Sequence, residues 1–313
     1  MTASGLLIQQ PGLMSAIIDA GRGIHQQRGF SESGPMDDDA FFWVNWLCAN
    51  PEGTPAIEWV GPAEFVATAD MHVAVTGPGA KVSVNAGTQA LWETLPLKEG
   101  DCLSVEPHKT GTRHYIGIRG AWNVPRVAQS ACTVAREKLG GLHEDGSYCA
   151  AEDIISVAAD TPLTTLREVP AWGRPDYSSD IPINVILGYQ SRWFSEVAKQ
   201  LFFTSNYKIT NKIDRMGYRL SGTPVKCARS EMHSEGITLG AVQCPPDGQP
   251  IVMMRDRQTL GGYPKLGCVS PVDLNRLAQS VPGEQVSFQP EDADDARASF
   301  LLRLSRRRAI TGN

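Results

Sequence analysis

Short apolar runs that alternate with polar residues, punctuated by Gly, Pro or Asn, dominate this chain. In the first half, residues 72–76 (HVAVT), 81–85 (KVSVN), 102–106 (CLSVE) and 114–119 (HYIGIR) alternate or run β-branched, the pattern of half-buried strands. The second half repeats the manner at 183–187, 219–220, 238–243, 251–254, 266–269 and 285–288. Short strands at this spacing predict barrels or sandwiches rather than strand–helix–strand units. Helical periodicity is confined to 36–48, 192–203, 273–279 and 292–308. The first of these, MDDDAFFWVNWLC, follows Ser33-Gly34-Pro35 and carries three aspartates in its first turn, where the helix dipole favours them. The last runs from acidic to basic, ending in RLSRRR, again as the dipole prefers. The expected class is mainly β with a few short helices.

The stretch 251–269, IVMMRDRQTLGGYPKLGCV, departs from a plain strand pattern. Two apolar runs flank a loop that gathers Arg255, Asp256, Arg257, Gln258 and Tyr263. The Gly261-Gly262 pair permits positive φ or close backbone approach, and Pro264 fixes the exit. An ordinary hairpin needs only two or three turn residues. The stretch therefore reads either as a binding loop on a rigid scaffold or as a decorated surface hairpin.

Two further constellations carry chemistry. Residues 18–38 place Asp19, Arg22, His25, Arg28 and Asp37 in one glycine-rich stretch, suited to binding or to simple solvation. Residues 214–219 read DRMGYR. In a strand, Arg215, Gly217 and Arg219 share one face, leaving room for a carboxylate, phosphate or carbonyl between two guanidiniums. A solvent-facing strand edge with salt bridges fits that pattern equally.

A chain of 313 residues is long enough for two domains, each with its own core. A polar stretch with three prolines at 169–182 divides it into an N-terminal β-barrel domain, 1–168, and a C-terminal domain with a terminal helix, 183–313. The net charge of −5 gives no electrostatic reason to expect nucleic acid or an anionic membrane. No run approaches a membrane span, and the N-terminus lacks the basic and apolar regions of a signal peptide. Seven scattered cysteines without a Cys-x-x-Cys pair suit a reducing cytoplasm. There is no P-loop, no His-Glu-x-x-His or Cys/His ladder, and no Gly-x-Ser-x-Gly elbow. No protein-built metal site is expected, and any nucleotide site is expected to lie on, or be shared with, another subunit.

Several ordered motifs then carry a resemblance. Gly21-Arg22-Gly23, SGPMD at 33–37, RMGYRL at 215–220, GAVQCPPDGQPIV at 240–252 and QTLGGYPKLGCV at 258–269 resemble the family of 5-oxoprolinase C subunits, also called KipA. This is the allophanate-hydrolase-subunit-2 group, related to the carboxyltransferase domain of urea carboxylase. The similarity spans residues 9–290. It implies two cyclophilin-like β-barrel domains around a cleft. It also implies a KipI-like B subunit as partner, together with an A subunit of 5-oxoprolinase, and ATP with Mg2+ as the energy source for opening 5-oxoproline to glutamate. By motif, Asp37, Arg215 and Asp256 are the catalytic candidates. Arg22, Arg219, Gln243, Gln258, Gly261, Gly262 and Tyr263 are the substrate-binding candidates.

Some positions depart from the family pattern. Asp214 stands where an Asn is usual, so that a carboxylate beside Arg215 is expected to neutralise it, and Leu260 stands where a Thr is usual. Departures are densest in the first domain, around Gly120-Ala121, Ala131-Cys132-Thr133 and Gly140-Gly141-Leu142-His143. Three function classes follow: a component of an ATP-dependent lactam hydrolase, a biotin-dependent carboxyltransferase component that acts on urea or a related amide, and a regulatory module that binds a KipI-like partner.

Overall fold

A computed structural model describes residues 5–108, 111–158, 163–178, 180–229 and 232–312. The chain forms two compact units, one of residues 1–23 and 33–175 and the other of 24–32 and 176–313. The division after Pro175 falls inside the proline-rich stretch 169–182, whose residue 179 lies outside the described residues. That stretch is partly structured. Val169 is buried and donates its N–H to the carbonyl of Trp92, and a short 3-10 turn follows at Ala171–Gly173. Nothing in the periodicity predicts that residues 24–32 leave the first unit for the second.

The fold is mainly β with few helices, as the strand pattern implies. The first unit holds two antiparallel sheets. One orders its strands as Ile154–Ser156, Gly5–Gln10, Ala63–Ala67, Cys102–Pro107, Ala80–Val84 and Gly87–Gln89; the other as Ala16–Ile18, Ala56–Val60, Arg113–Ile118, Met71–Thr76 and Thr94–Leu97. Their inward faces supply one core, with Trp59, Phe65, Leu103 and Ile116 at its centre. The helix Asp38–Leu47 buries Phe41, Trp43, Val44 and Leu47, the spacing of one helical face.

The second unit is organised by one sheet of eight strands. Its order is Gln285–Val286, Tyr207–Ile213, Gly217–Ser221, Ile251–Met253, Ala241–Gln243, Lys265–Val269, Ile183–Leu187 and Phe288–Glu291. The two edge strands are neighbours in sequence, separated only by Ser287. A strand advances about 3.3 Å per residue, so the two edges must lie within a few residues' reach and the sheet curls into a nearly closed barrel. The sequence pattern reads 285–288 as one strand; the chain turns at Ser287 because its two halves serve opposite edges.

Two other expectations change. The helical pattern at 192–203 is broken: a 3-10 turn, Tyr189–Trp193, precedes an α-helix at Glu196–Thr204, whose N-cap Ser195 accepts from the N–H of Ala198 at 3.1 Å. The strands of 251–269 do not form a hairpin. Ala241–Gln243 lies between Ile251–Met253 and Lys265–Val269, so the chain between them arches past an intervening strand. This explains why the loop is longer than a hairpin turn requires. The terminal helix, Ala293–Thr311, is as expected. Asp292 caps its first N–H groups, and Gly312 ends it at φ 76°.

Candidate functional site

The second unit carries a cavity of about 470 Å³ on one face of its sheet. Paired strand residues project to the same face, so the register names the floor. Arg219 pairs with Ile251, and Ile251 pairs with Gln243. One row thus runs guanidinium, apolar side chain, amide across three strands, each about 4.8 Å from the next. In the neighbouring row, Gly217 pairs with Met253. All five residues line the cavity. The intervening residues face the other way into the core, where Tyr218 donates its hydroxyl to the carbonyl of Ala278 at 2.9 Å.

A second cation arrives through a β-bulge. Tyr207–Ile213 slips register against Gly217–Ser221 between Ile209 and Ile213, and the extra residues include Asn211 and Lys212, which line the cavity. Neither the Lys212 ammonium nor the Arg219 guanidinium has a side-chain partner among the described residues. Asp214 also lines the cavity, but its Oδ1 accepts from the N–H groups of Met216 and Gly217 at 2.7 and 3.1 Å. The usual Asn at this position presents the same kind of acceptor oxygen, which is why an acid is tolerated there.

Gln258 and Tyr263 complete the wall from the arching loop. A two-stranded ladder between Glu235–Gly236 and Leu260–Gly261 holds that loop, together with a charged network beneath it. Lys265 pairs with Glu235 and donates to the carbonyl of Gly236 at 3.0 Å, while its own N–H donates to Gln190 Oε1 at 2.7 Å. Tyr189 and Gln190 also donate to Glu235. Burial works to raise the Glu235 carboxyl, but the hydrogen bond from Lys265, with those of Tyr189 and Gln190, more than offsets it and leaves the pKa below its ordinary value. Neither Gly261 nor Gly262 has positive φ. Their role is close approach: a Cβ on Gly261 would stand 2.6 Å from Ile237 Cδ1, and one on Gly262 would stand 3.1 Å from the Met232 carbonyl.

Arg215 and Asp256 are brought together, but not as predicted. Arg215 precedes the strand and does not share the Gly217–Arg219 face. Its Nε and Nη2 donate to the two carboxylate oxygens of Asp256 at 2.9 and 3.1 Å, with both side chains buried. Asp256, not Asp214, therefore neutralises Arg215, and neither group lines the cavity. The adjacent Arg257 is buried and pairs with Glu32 at 2.6 Å. Ser31 donates to the carbonyls of Asp256 and Arg257 at 3.3 and 3.1 Å. The crossing segment 24–32 thus clamps the turn from which Gln258 departs.

Arg22 and Asp37 belong to the first unit and serve its architecture. Arg22 is buried and donates to the carbonyls of Val127 at 3.1 Å and Cys132 at 2.7 Å. Asp37 is fully buried as the helix N-cap, its Oδ1 accepting from Asp39 and Ala40, both at 3.1 Å. Sequence reasoning missed Lys212 and the Gln190–Glu235–Lys265 network. No local pattern marks a bulge, and the network joins residues distant in the chain.

The comparisons agree with this architecture. Residues 28–290 match the family model described as carboxyltransferase domain, subdomain A and B. The chain belongs to this carboxyltransferase-domain family. It is 30% identical over 287 residues to the C subunit of 5-oxoprolinase from Escherichia coli K12, covering 90% of both chains. It is 27% identical to urea amidolyase of Saccharomyces cerevisiae, covering 93% of this chain and 17% of that protein. The crystal structure of K. lactis urea amidolyase superposes with a TM-score of 0.90 at 26% identity, over 99% of this chain and 20% of that one. The family member described here thus spans about a fifth of that large enzyme and nearly the full length of the bacterial protein. No helix among its described residues is long and apolar enough to cross a membrane.

Proposed function

We propose that this chain is part of an ATP-dependent 5-oxoprolinase, opening 5-oxoproline to glutamate together with a KipI-like B subunit and an A subunit. The observation that carries this reading is the row Arg219–Ile251–Gln243, with Lys212 beside it. 5-Oxoproline has a carboxylate and a lactam amide on a small apolar ring. The row offers a cation, an apolar contact and an amide in that order. A carboxylate held by a guanidinium is a strong, oriented contact. The likeness to the C subunit of 5-oxoprolinase over 90% of both chains supports the same reading.

In this reading the chain binds and orients the lactam. Activation of so stable an amide requires its carbonyl oxygen to become a better leaving group, for which phosphorylation by ATP suffices. Two cations suit one small anion, so the nucleotide, its Mg2+ and the catalytic base belong on the partner's surface. Asp256 and Asp37, two of the catalytic candidates, have oxygens committed to Arg215 and to the helix N-terminus. Seven free thiols suit a cytoplasmic home.

The test is ADP release by the chain mixed with its KipI-like partner and the A subunit, with and without 5-oxoproline. Substrate-dependent release that disappears when this chain is omitted is the expected result. A second reading, a biotin-dependent carboxyltransferase component, is favoured by the superposition on urea amidolyase. Urea has no carboxylate to engage Arg219 or Lys212, which is why the first reading is preferred. Bicarbonate dependence and avidin sensitivity separate the two.

A further inference from the structure

Gln243 is a buried amide with an unmet hydrogen-bonding requirement. It is 1% exposed, and its Nε2 has no hydrogen-bond partner. An unsatisfied buried donor costs about 1–3 kcal/mol, and folded proteins seldom keep one without a use. Its surroundings indicate the use. A Cβ placed on Gly261 would stand 3.3 Å from Gln243 Nε2 and 3.5 Å from Gln258 Nε2. Both amide nitrogens, one from a strand end and one from the arching loop, therefore lie beside Gly261, against which Ile237 Cδ1 also packs, and both residues line the cavity. The side chain of Gln258 is likewise without a hydrogen-bond partner among the described residues.

We propose that Gln243 and Gln258 form a paired donor clamp for one carbonyl oxygen of a planar amide ligand. Gly261, with no side chain, lets the two amides and Ile237 pack close to its backbone. The inference rests on the lactam reading above and assigns the carbonyl end of the ligand, as Arg219 takes the carboxylate end. Two N–H donors on one sp² oxygen fix the plane of the amide as well as its position. An alanine at 261 would press on Ile237 Cδ1 at 2.6 Å and crowd the Gln243 amide at 3.3 Å. A carboxylate at 243 would replace the donor by an acceptor of nearly the same shape and oppose the carbonyl oxygen.

The experiment is an NMR titration of the full chain, alone and with its KipI-like partner, using three probes. These are 5-oxoproline, 2-pyrrolidinone (the lactam without the acid) and cyclopentanecarboxylate (the acid without the lactam). Gln243→Glu is expected to weaken 5-oxoproline and 2-pyrrolidinone, each at least about tenfold, and to affect cyclopentanecarboxylate far less. Arg219→Ala is expected to weaken 5-oxoproline and cyclopentanecarboxylate and to spare 2-pyrrolidinone. Should Gln243→Glu melt early, Gln258→Glu, at a less buried position, carries the same expectation. Equal effects on all three probes, no effect on any, or no lactam binding by the wild-type chain or complex would overturn the clamp. ADP release that depends on 5-oxoproline yet is unaltered by Gln243→Glu and Gln258→Glu removes the clamp and leaves the oxoprolinase reading standing. A probe pattern as expected without any 5-oxoproline-dependent ADP release does the reverse.

Discussion

Arg215 and Asp256 face each other as a buried fork, with Nε to Oδ2 at 2.9 Å and Nη2 to Oδ1 at 3.1 Å. The pair joins the turn before strand Gly217–Ser221 to the turn after strand Ile251–Met253, and the Asp256 N–H donates back to the Arg215 carbonyl at 2.7 Å. Its effect is to set where Gln258 leaves the sheet.

Removing one partner leaves a buried charge unpaired, so Arg215→Ala and Asp256→Ala are each expected to lower stability by about 3–5 kcal/mol. Replacing both with apolar residues should cost less than the sum of the single changes. Denaturant unfolding of the four proteins in this cycle provides the check. Additive losses would show that the two side chains act independently.

Arg219 is exposed and without a side-chain partner, so Arg219→Ala should leave stability within about 0.5 kcal/mol. Its effect belongs to the ligand. If the proposed 5-oxoprolinase role holds, the loss of one charge-assisted contact predicts a roughly 10- to 100-fold rise in KM for 5-oxoproline in the assembled enzyme, with kcat little changed. A normal KM would place the substrate carboxylate elsewhere.

Asp37 separates structural from chemical roles. Asn is as good an N-cap as Asp, so Asp37→Asn should keep both stability and activity, while Asp37→Ala costs about 1 kcal/mol of stability. Thermal melts and ADP release on the same samples decide the matter. A stable but inactive Asp37→Asn protein would restore the carboxylate to the chemistry.

His114 predicts a pH dependence. It is buried against the carbonyl of Pro78 at 2.9 Å. Burial lowers its pKa from 6.5 to about 4, against a smaller opposing pull from that carbonyl. The unfolded chain takes up this proton near pH 6.5, and the folded chain only near pH 4, so protons favour unfolding across that window. The stability is fully present above pH 6.5 and is lost as pH falls to about 4, by on the order of 3 kcal/mol. Denaturation midpoints between pH 7 and 4.5 should fall more steeply for the wild type than for His114→Gln; parallel slopes would contradict this.

Much of the fold was legible because alternation and helical periodicity are local. The strands at 72–76, 102–106 and 114–119 and the helices at 36–48 and 273–279 stand within a residue or two of where the pattern put them. The site was legible only in part. Arg219, Gln243, Gln258 and Tyr263 meet at one cavity, whereas Arg215, Asp256 and Asp37 are polar groups that the fold pairs internally, and Arg22 is buried in the first unit with its Nε and Nη2 on backbone carbonyls. Residue type alone cannot separate these roles, since a buried guanidinium and a ligand-binding one look alike in a string of letters.

The sequence by itself determined the mainly β class, the acidic first turn of the helix at 36–48 and the acid-to-base polarity of the last helix, the richness of the 251–269 loop and the family. Each of these depends on spacing or on motifs read along the chain. Tertiary structure alone decided that Ala241–Gln243 inserts between the two strands of that loop, and that Ser287 joins the two edges of the sheet. It likewise decided that residues 24–32 join the second unit. These are choices of strand partner. They are settled by which apolar faces can be covered together, a property of the assembled sheet that no local segment carries.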